Sequence, residues 1–217
     1  ISDDVLMCNF NAFYKIHPKQ MAVWIEVMKE HPKTILVLRA KYGAPADCIV
    51  KTMEDAGLSA DRVYFTGDLS GEAHAKRCGA CDLVVDTDNF NGITTTATVL
   101  WTGTPVITFP TANNAGRCSA TMLISMKSSE LIARNRAEYK HLLTKFVEYT
   151  QESFHLRQRL RTRISRERVN TPLYKPAYLA QGFERLSYRL WDVLRATGNE
   201  VKTHHLILSW TKESLEL

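Results

Sequence analysis

At 217 residues, 45% of them hydrophobic, the chain can bury the core of one large or two small domains. No stretch approaches the roughly 18 uninterrupted apolar residues of a membrane span, and no signal-peptide pattern opens it. The net charge of +5 favours acidic ligands, phosphates included, without singling out nucleic acid. Five scattered cysteines predict free thiols in a reducing compartment over a disulfide framework. The chain opens at Ile1, directly in a strand-like run, as a piece cut from a longer polypeptide would.

Short apolar runs recur along the first half: Val5–Phe10, Thr34–Ala40, Arg62–Gly67, Asp82–Thr87 and Pro105–Pro110. Each is rich in Val, Ile, Leu or Phe and bounded by turn residues, as buried parallel strands are. Between them lie helical spacings. Met21, Trp24, Ile25 and Met28 fall at i, i+3, i+4, i+7 between Pro18 and Pro32, and a second helix stops at Gly57. Strand–helix alternation at this pace predicts an α/β domain with a Rossmann-like parallel sheet covered by helices. Ligands of such sheets sit beyond the carboxyl ends of the strands.

From Ser128 onward the chain is charged and helical. We expect a sheet lobe over 1–127, a helical extension packed on it over 128–199, and a tail over 200–217. Leu156, Leu160 and Ile164 form a buried stripe in the arginine-rich run 156–168. Its arginines read as a mostly solvated face, with a nucleic-acid or anionic-lipid patch as the functional alternative. Further on, Phe183, Leu186, Leu190 and Trp191 make one apolar helix face. The pair Cys78–Cys81 has redox-motif spacing but lies at a helix end leading into a strand. It reads as two small packed residues; a zinc site would need a second ligand pair, for which His204 and His205 are poor candidates.

The segment "NGITTTATVLWTGTP" follows the fourth strand. Gly92 permits close backbone approach, the amides of a helix start carry partial positive charge, and Thr94 and Thr95 add hydroxyls, so a diphosphate fits there. The alternative is that the threonines only cap a helix.

Five stretches carry a resemblance: "CNFNAFYKIHP", "DLVVDTDNFNGITTTATVLWTGTPVITFP", "AGRCSATML", "ELIARNRAEY" and "SRERVNTPLYKPAYLAQGFERLSYRLWDVLRATGN". In this order they resemble the C-terminal catalytic half of O-linked N-acetylglucosamine transferases, nucleocytoplasmic enzymes that glycosylate Ser and Thr of proteins. The resemblance implies the nucleotide-sugar lobe of a GT-B fold. The first lobe, the general base and the upstream TPR repeats lie outside this sequence. It further implies UDP-GlcNAc as donor, protein acceptors, location in cytoplasm and nucleus, and an inverting transfer with no metal or other cofactor. The spacing Asp86–Thr87–Asp88 would suit a metal, but in the family a lysine and a helix dipole do that work.

By the same resemblance, Lys15 is the catalytic cation on the leaving diphosphate. Thr94 and Thr95 bind the phosphates, His74 and Arg77 flank the nucleobase, and the Leu69 backbone lies near its edge. Asn11, Gly92, Ile93 and Thr98 complete the implied binding set. Five positions depart from the family. Ile93 stands for a histidine, Thr98 for the aspartate on the ribose, Ala12 for a glutamine, Gly71 for a lysine and Phe90 for a small cysteine beside the N-acetyl group. Losing a charged or bidentate partner costs on the order of 1–3 kcal/mol. Two alternatives therefore stand beside the main reading: GDP-fucose transfer of the Spindly type, and an inactive nucleotide-binding paralogue.

Overall fold

The computed structural model describes residues 4–40, 43–152 and 154–197. Each expected strand forms: β1 (Val5–Asn9), β2 (Thr34–Arg39), β3 (Val63–Thr66), β4 (Leu83–Val85) and β5 (Val106–Ile107). They make one parallel sheet in the order β3-β2-β1-β4-β5. Met7 sits opposite Leu36 on one side and Leu83 on the other, so the middle of the core lies on β1. The fifth run regularises over only two residues, and Thr108 then bridges to Ile132 in the same direction.

Five helices accompany the sheet: α1 (Pro18–Glu30), α2 (Ala44–Asp55), α3 (Gly71–Ala80), α4 (Thr94–Trp101) and α5 (Cys118–Ser125). α1 starts where Pro18 can occupy the first turn and the His17 ring accepts from the Lys19 amide at 3.2 Å. Its predicted stripe of Met21, Trp24, Ile25 and Met28 is buried, as are Gln20, Val23 and Val27. α2 ends at Gly57, whose φ of +82° admits the left-handed turn; its amide and that of Leu58 return to Glu54 and Met53.

Three long helices follow: α6 (Arg136–Glu152), α7 (Phe154–Glu167) and α8 (Pro176–Ala196). The chain divides into two compact units between Asn170 and Thr171, whereas the sequence predicts a boundary at 127/128. α6 and α7 belong to the first unit because they bury an integral part of its core. Tyr139, Leu143 and Val147, at i, i+4, i+8 on α6, are fully buried, as is Ile164 on α7. In the second unit, Phe183, Leu190 and Trp191 of α8 are exposed. The expected tail over 200–217, with His204 and His205, lies outside the described residues, as does the side chain of Leu156.

Two expectations are corrected. The arginines of α7 are not simply a solvated face. Arg161 donates to the Cys81 and Gly79 carbonyls at 2.6 Å each, Arg157 pairs with Asp82, and Arg168 donates to the Trp101 carbonyl. The bonds of Arg161 and Arg157 dock α7 on the corner where α3 runs into β4, and that of Arg168, just past α7, reaches the end of α4. The cysteines are not all free either. Cys8 of β1 and Cys81, the residue that caps α3 two positions before β4, form a disulfide with Cα atoms 6.1 Å apart. Cys78 remains a buried thiol, pushed up to about 11 by burial, as a small packed residue would be.

Candidate functional site

The strand order reverses between β1 and β4, so the loops that follow them, beginning at Phe10 and Asp86, face one crevice at the carboxyl edge. Asp86 organises that edge. Fully buried, its carboxylate accepts from the Gly92 amide (3.0 Å), the Asn11 amide group (3.3 Å) and the Thr108 hydroxyl (3.0 Å). Its carbonyl accepts from Gln20 of α1 (3.1 Å) and from the Tyr139 hydroxyl of α6 (3.0 Å). Burial pushes the Asp86 carboxyl above its ordinary value, opposed by the hydrogen bonds from Gly92, Ser119, Thr108 and Thr87.

These bonds hold the loop that launches α4. Asn91 is tied on three sides: its side chain donates to the Thr87 carbonyl and accepts from the Ser119 amide, and its own amide donates to the Ala115 carbonyl. Gly92 is needed for closeness rather than for an unusual φ: a Cβ there would stand 2.7 Å from Asn11 Oδ1 and 3.0 Å from Thr96 Oγ1. The cap position of α4 is Ile93, which has no capping side chain, so the capping role considered for the threonines is not what this helix shows. Thr94 is exposed and Thr95 half-buried in the first turn, where backbone amides have no intrahelical acceptor.

Lys15 closes the 3-10 turn Phe13–Lys15 and reaches this helix start. Its Nζ donates to the Asn91 carbonyl at 3.1 Å and lies 3.7 Å over the centroid of the Phe90 ring. Burial holds its pKa below the ordinary lysine value, with Asp86 and Cys118 opposing. Asn11 is buried below. Its Nδ2 donates to the Thr87 hydroxyl at 2.8 Å, while its Oδ1 has no partner.

A second group lies at the carboxyl ends of β1 and β3. Arg77 donates to the Thr66 hydroxyl and the Gly67 carbonyl, stacks 4.4 Å from the Phe10 centroid, and donates to His74 Nδ1 at 2.8 Å. Since a guanidinium only donates, His74 accepts there and is a neutral imidazole with its proton on Nε2. Burial, then the charges of Arg77 and Arg39, lower its pKa. Phe10, edge-on to His74 at 5.8 Å, joins this group to the first, since Asn11 is the next residue. Leu69 is exposed in the loop ahead of α3, whose first residue Gly71 has a φ of +53°.

Not every implied residue is aimed at a ligand. The Thr98 hydroxyl donates to the Thr94 carbonyl one turn back at 3.0 Å. Ile93 is exposed beside the site and brings no polar group. Of the Asp86–Thr87–Asp88 spacing, Asp86 serves the loop and Asp88 is paired with Arg136 at 2.6 Å. Among the described residues no group of three His, Cys, Asp or Glu could hold a metal. Sequence reasoning missed Gln20, Thr108, Tyr139 and Ser119, which come from separate elements and carry no motif, and it missed Phe90 as a partner of Lys15. The arrangement offers the Lys15 cation and a helix start to an anion, and a guanidinium and an imidazole, backed by the buried Phe10 ring, to a planar ring.

The sequence pattern of Glycosyl transferase family 41 matches residues 1–182. The chain is 32% identical over 190 residues to the UDP-N-acetylglucosamine–peptide N-acetylglucosaminyltransferase of Caenorhabditis elegans, covering 87% of this chain and 16% of that protein. It is 26% identical over 200 residues to the probable enzyme of the same designation, SEC, of Arabidopsis thaliana, covering 91% and 20%. It therefore spans a fifth or less of either relative. Among solved structures it matches the Thermobaculum terrenum O-GlcNAc transferase with a TM-score of 0.81 at 22% identity, over 90% of this chain and 37% of that one. It matches TarM at 0.63 and 13%, over 85% and 35%. These structural likenesses establish the expected fold, a Rossmann-like lobe of GT-B type.

Proposed function

We propose that this chain, which belongs to glycosyl transferase family 41, is the donor-binding half of a protein O-glycosyltransferase. Its donor would be UDP-GlcNAc and its acceptors Ser and Thr hydroxyls of proteins. The relatives' names, which pair UDP-N-acetylglucosamine with a peptide acceptor, support the donor and acceptor classes. The observation that carries the site assignment is Lys15 Nζ held at the Asn91 carbonyl, immediately before the open amides of α4. Breaking the sugar–phosphate bond leaves a diphosphate with added charge, and a cation beside a helix start stabilises that charge as it grows. The acceptor hydroxyl attacks the anomeric carbon while the diphosphate departs from the opposite face, giving inversion. His74 and Arg77, packed on the buried Phe10 ring, would flank the base. The acceptor side and the general base are supplied by the part of the protein beyond this chain.

In the complete enzyme, Lys15→Ala should lower kcat far more than it raises KM, because the lysine's contact strengthens toward the transition state. A rise in KM alone would reduce Lys15 to a binding residue. A second reading, a lobe with weakened donor affinity or a different donor, is favoured by Thr98, whose hydroxyl is spent on its own helix. Calorimetry with UDP and GDP on wild type and on Ile93→His/Thr98→Asp separates the two. Tighter UDP binding in the double variant, by roughly 1–3 kcal/mol, marks a weakened UDP site. A wild-type preference for GDP that the variant loses marks the fucosyl-type donor. Binding of neither nucleotide by either form removes the donor-site assignment.

A further inference from the structure

Lys15 is a long, flexible side chain whose ammonium must be well placed to meet a diphosphate, and two neighbours hold it. The Asn91 carbonyl takes one N–H at 3.1 Å, and the Phe90 ring face lies 3.7 Å from the nitrogen. Phe90 is itself fixed: its carbonyl accepts from the Thr87 hydroxyl at 2.7 Å, and Tyr14 meets its ring edge-on with centroids 6.4 Å apart. Thr87 in turn is tied through Asn11 to the Asp86 network. The backbone that carries this ring is thus tied to the same buried carboxylate that shapes the start of α4.

We infer that Phe90 is a positioning residue for Lys15, its ring holding the ammonium at the mouth of the α4 helix start with a donor left for a phosphate oxygen. An ammonium has three N–H groups. The Asn91 carbonyl and the ring face engage two sides of it and leave the third to the ligand, so a phosphate need not displace either neighbour. A cation over an aromatic face is attracted at an exposed site and more so where water is partly excluded; Phe90 is 37% exposed and Lys15 is half-buried. Burial of Lys15 holds its pKa below the ordinary lysine value, with Asp86 and Cys118 opposing. The flanking Ile93 and Ala12 bring no charge, so the placement of this one ammonium governs much of the anion affinity. A leucine at position 90 would leave a hydrophobic contact without the negative ring face, and Lys15 would spread over its rotamers.

The inference rests on the donor-site reading above, and the test keeps the two apart. The ε-methylene resonance of Lys15, assigned by its loss in Lys15→Ala, should carry an upfield ring-current shift in this chain. The shift should persist in Phe90→Tyr and vanish in Phe90→Leu. UDP affinity by calorimetry should fall roughly three- to tenfold in Phe90→Leu, the range a cation–π contact supplies, and return in Phe90→Tyr. Aromatic rescue is a readout that mere packing would not give, since leucine also packs. If Lys15→Ala weakens UDP while Phe90→Leu binds it as wild type does, Phe90 has no positioning role and the donor site stands. If neither change alters UDP affinity, both readings fall.

Discussion

Tyr139 donates its hydroxyl to the Asp86 carbonyl at 3.0 Å, joining residues 53 positions apart, and the same oxygen accepts from Trp24 Nε1 at 3.1 Å. One phenol on α6 thus connects α1 to the carboxyl end of β4, where the ligand-facing loop begins. All three groups are buried, so the hydroxyl cannot be removed without leaving an indole N–H unpaired. Burial also drives the phenol upward in pKa, so it remains a donor at any ordinary pH.

Tyr139→Phe should therefore destabilise the fold by about 1–3 kcal/mol, the cost of orphaning a buried donor, without creating a cavity. Urea denaturation with an unchanged m-value is the measurement. UDP affinity should fall with it, because the Asp86 carbonyl loses one of its two donors while Gln20 remains as the other. A variant as stable as wild type would show that the Asp86 edge is held from α1 alone.

Two arginines two residues apart on α7 should behave oppositely. Arg161 caps the Cys81 and Gly79 carbonyls with its two terminal guanidinium nitrogens, and burial lowers its pKa. Arg161→Ala should cost about 2–4 kcal/mol, through two carbonyls left without donors and lost packing of the stem. Arg159 is exposed, and Arg159→Ala should stay within about 0.5 kcal/mol. Thermal unfolding of both variants side by side checks this. Equal, small effects would return α7 to the solvated helix face that its sequence suggests.

The Asp86 carboxyl titrates above its ordinary 3.8 because it is buried, which sets the sign of a pH effect. Between 3.8 and the higher folded value the native state retains a proton that the unfolded state has released. Stability attributable to this group therefore falls as pH rises through that window and is level above it. Asp86→Asn abolishes the titration and keeps acceptors for Gly92 or Thr108. The difference in unfolding free energy, wild type minus Asp86→Asn, should decline with rising pH above 3.8 and then flatten. A difference that instead rises with pH below 3.8 and is level above it would mean that the hydrogen bonds from Gly92, Ser119, Thr108 and Thr87 outweigh burial.

Much of the scaffold was legible because local pattern and tertiary role coincide. Val5–Asn9 and Leu83–Val85 are apolar runs that only a buried strand accommodates, and the spacing of Met21, Trp24, Ile25 and Met28 places one side of α1 on the sheet. Alternation then dictates a parallel sheet, and a parallel sheet places ligands at the carboxyl edge. Gly92 and the threonines after it were findable for the same reason: a helix start following a strand has a backbone signature independent of the rest of the chain.

What depended on the tertiary structure is what required two distant segments to meet. Nothing around Cys8 or Cys81 announces their pairing; it arises only when the end of α3 packs beside β1 in the folded sheet. The arginines of α7 read as solvent-facing because an alternating charge pattern carries no information about free carbonyls on another element. Phe90 alone is a surface aromatic, and it acquires a role only when the turn after β1 carries Lys15 across it. Local sequence by itself determined the elements and their order, since hydrophobic periodicity and turn chemistry act within a few residues. The partners of Asp86, Lys15 and Tyr139 were decided by the packed fold, because hydrogen bonds and cation–π contacts depend on ångström-scale distances that only the assembled sheet and helices define.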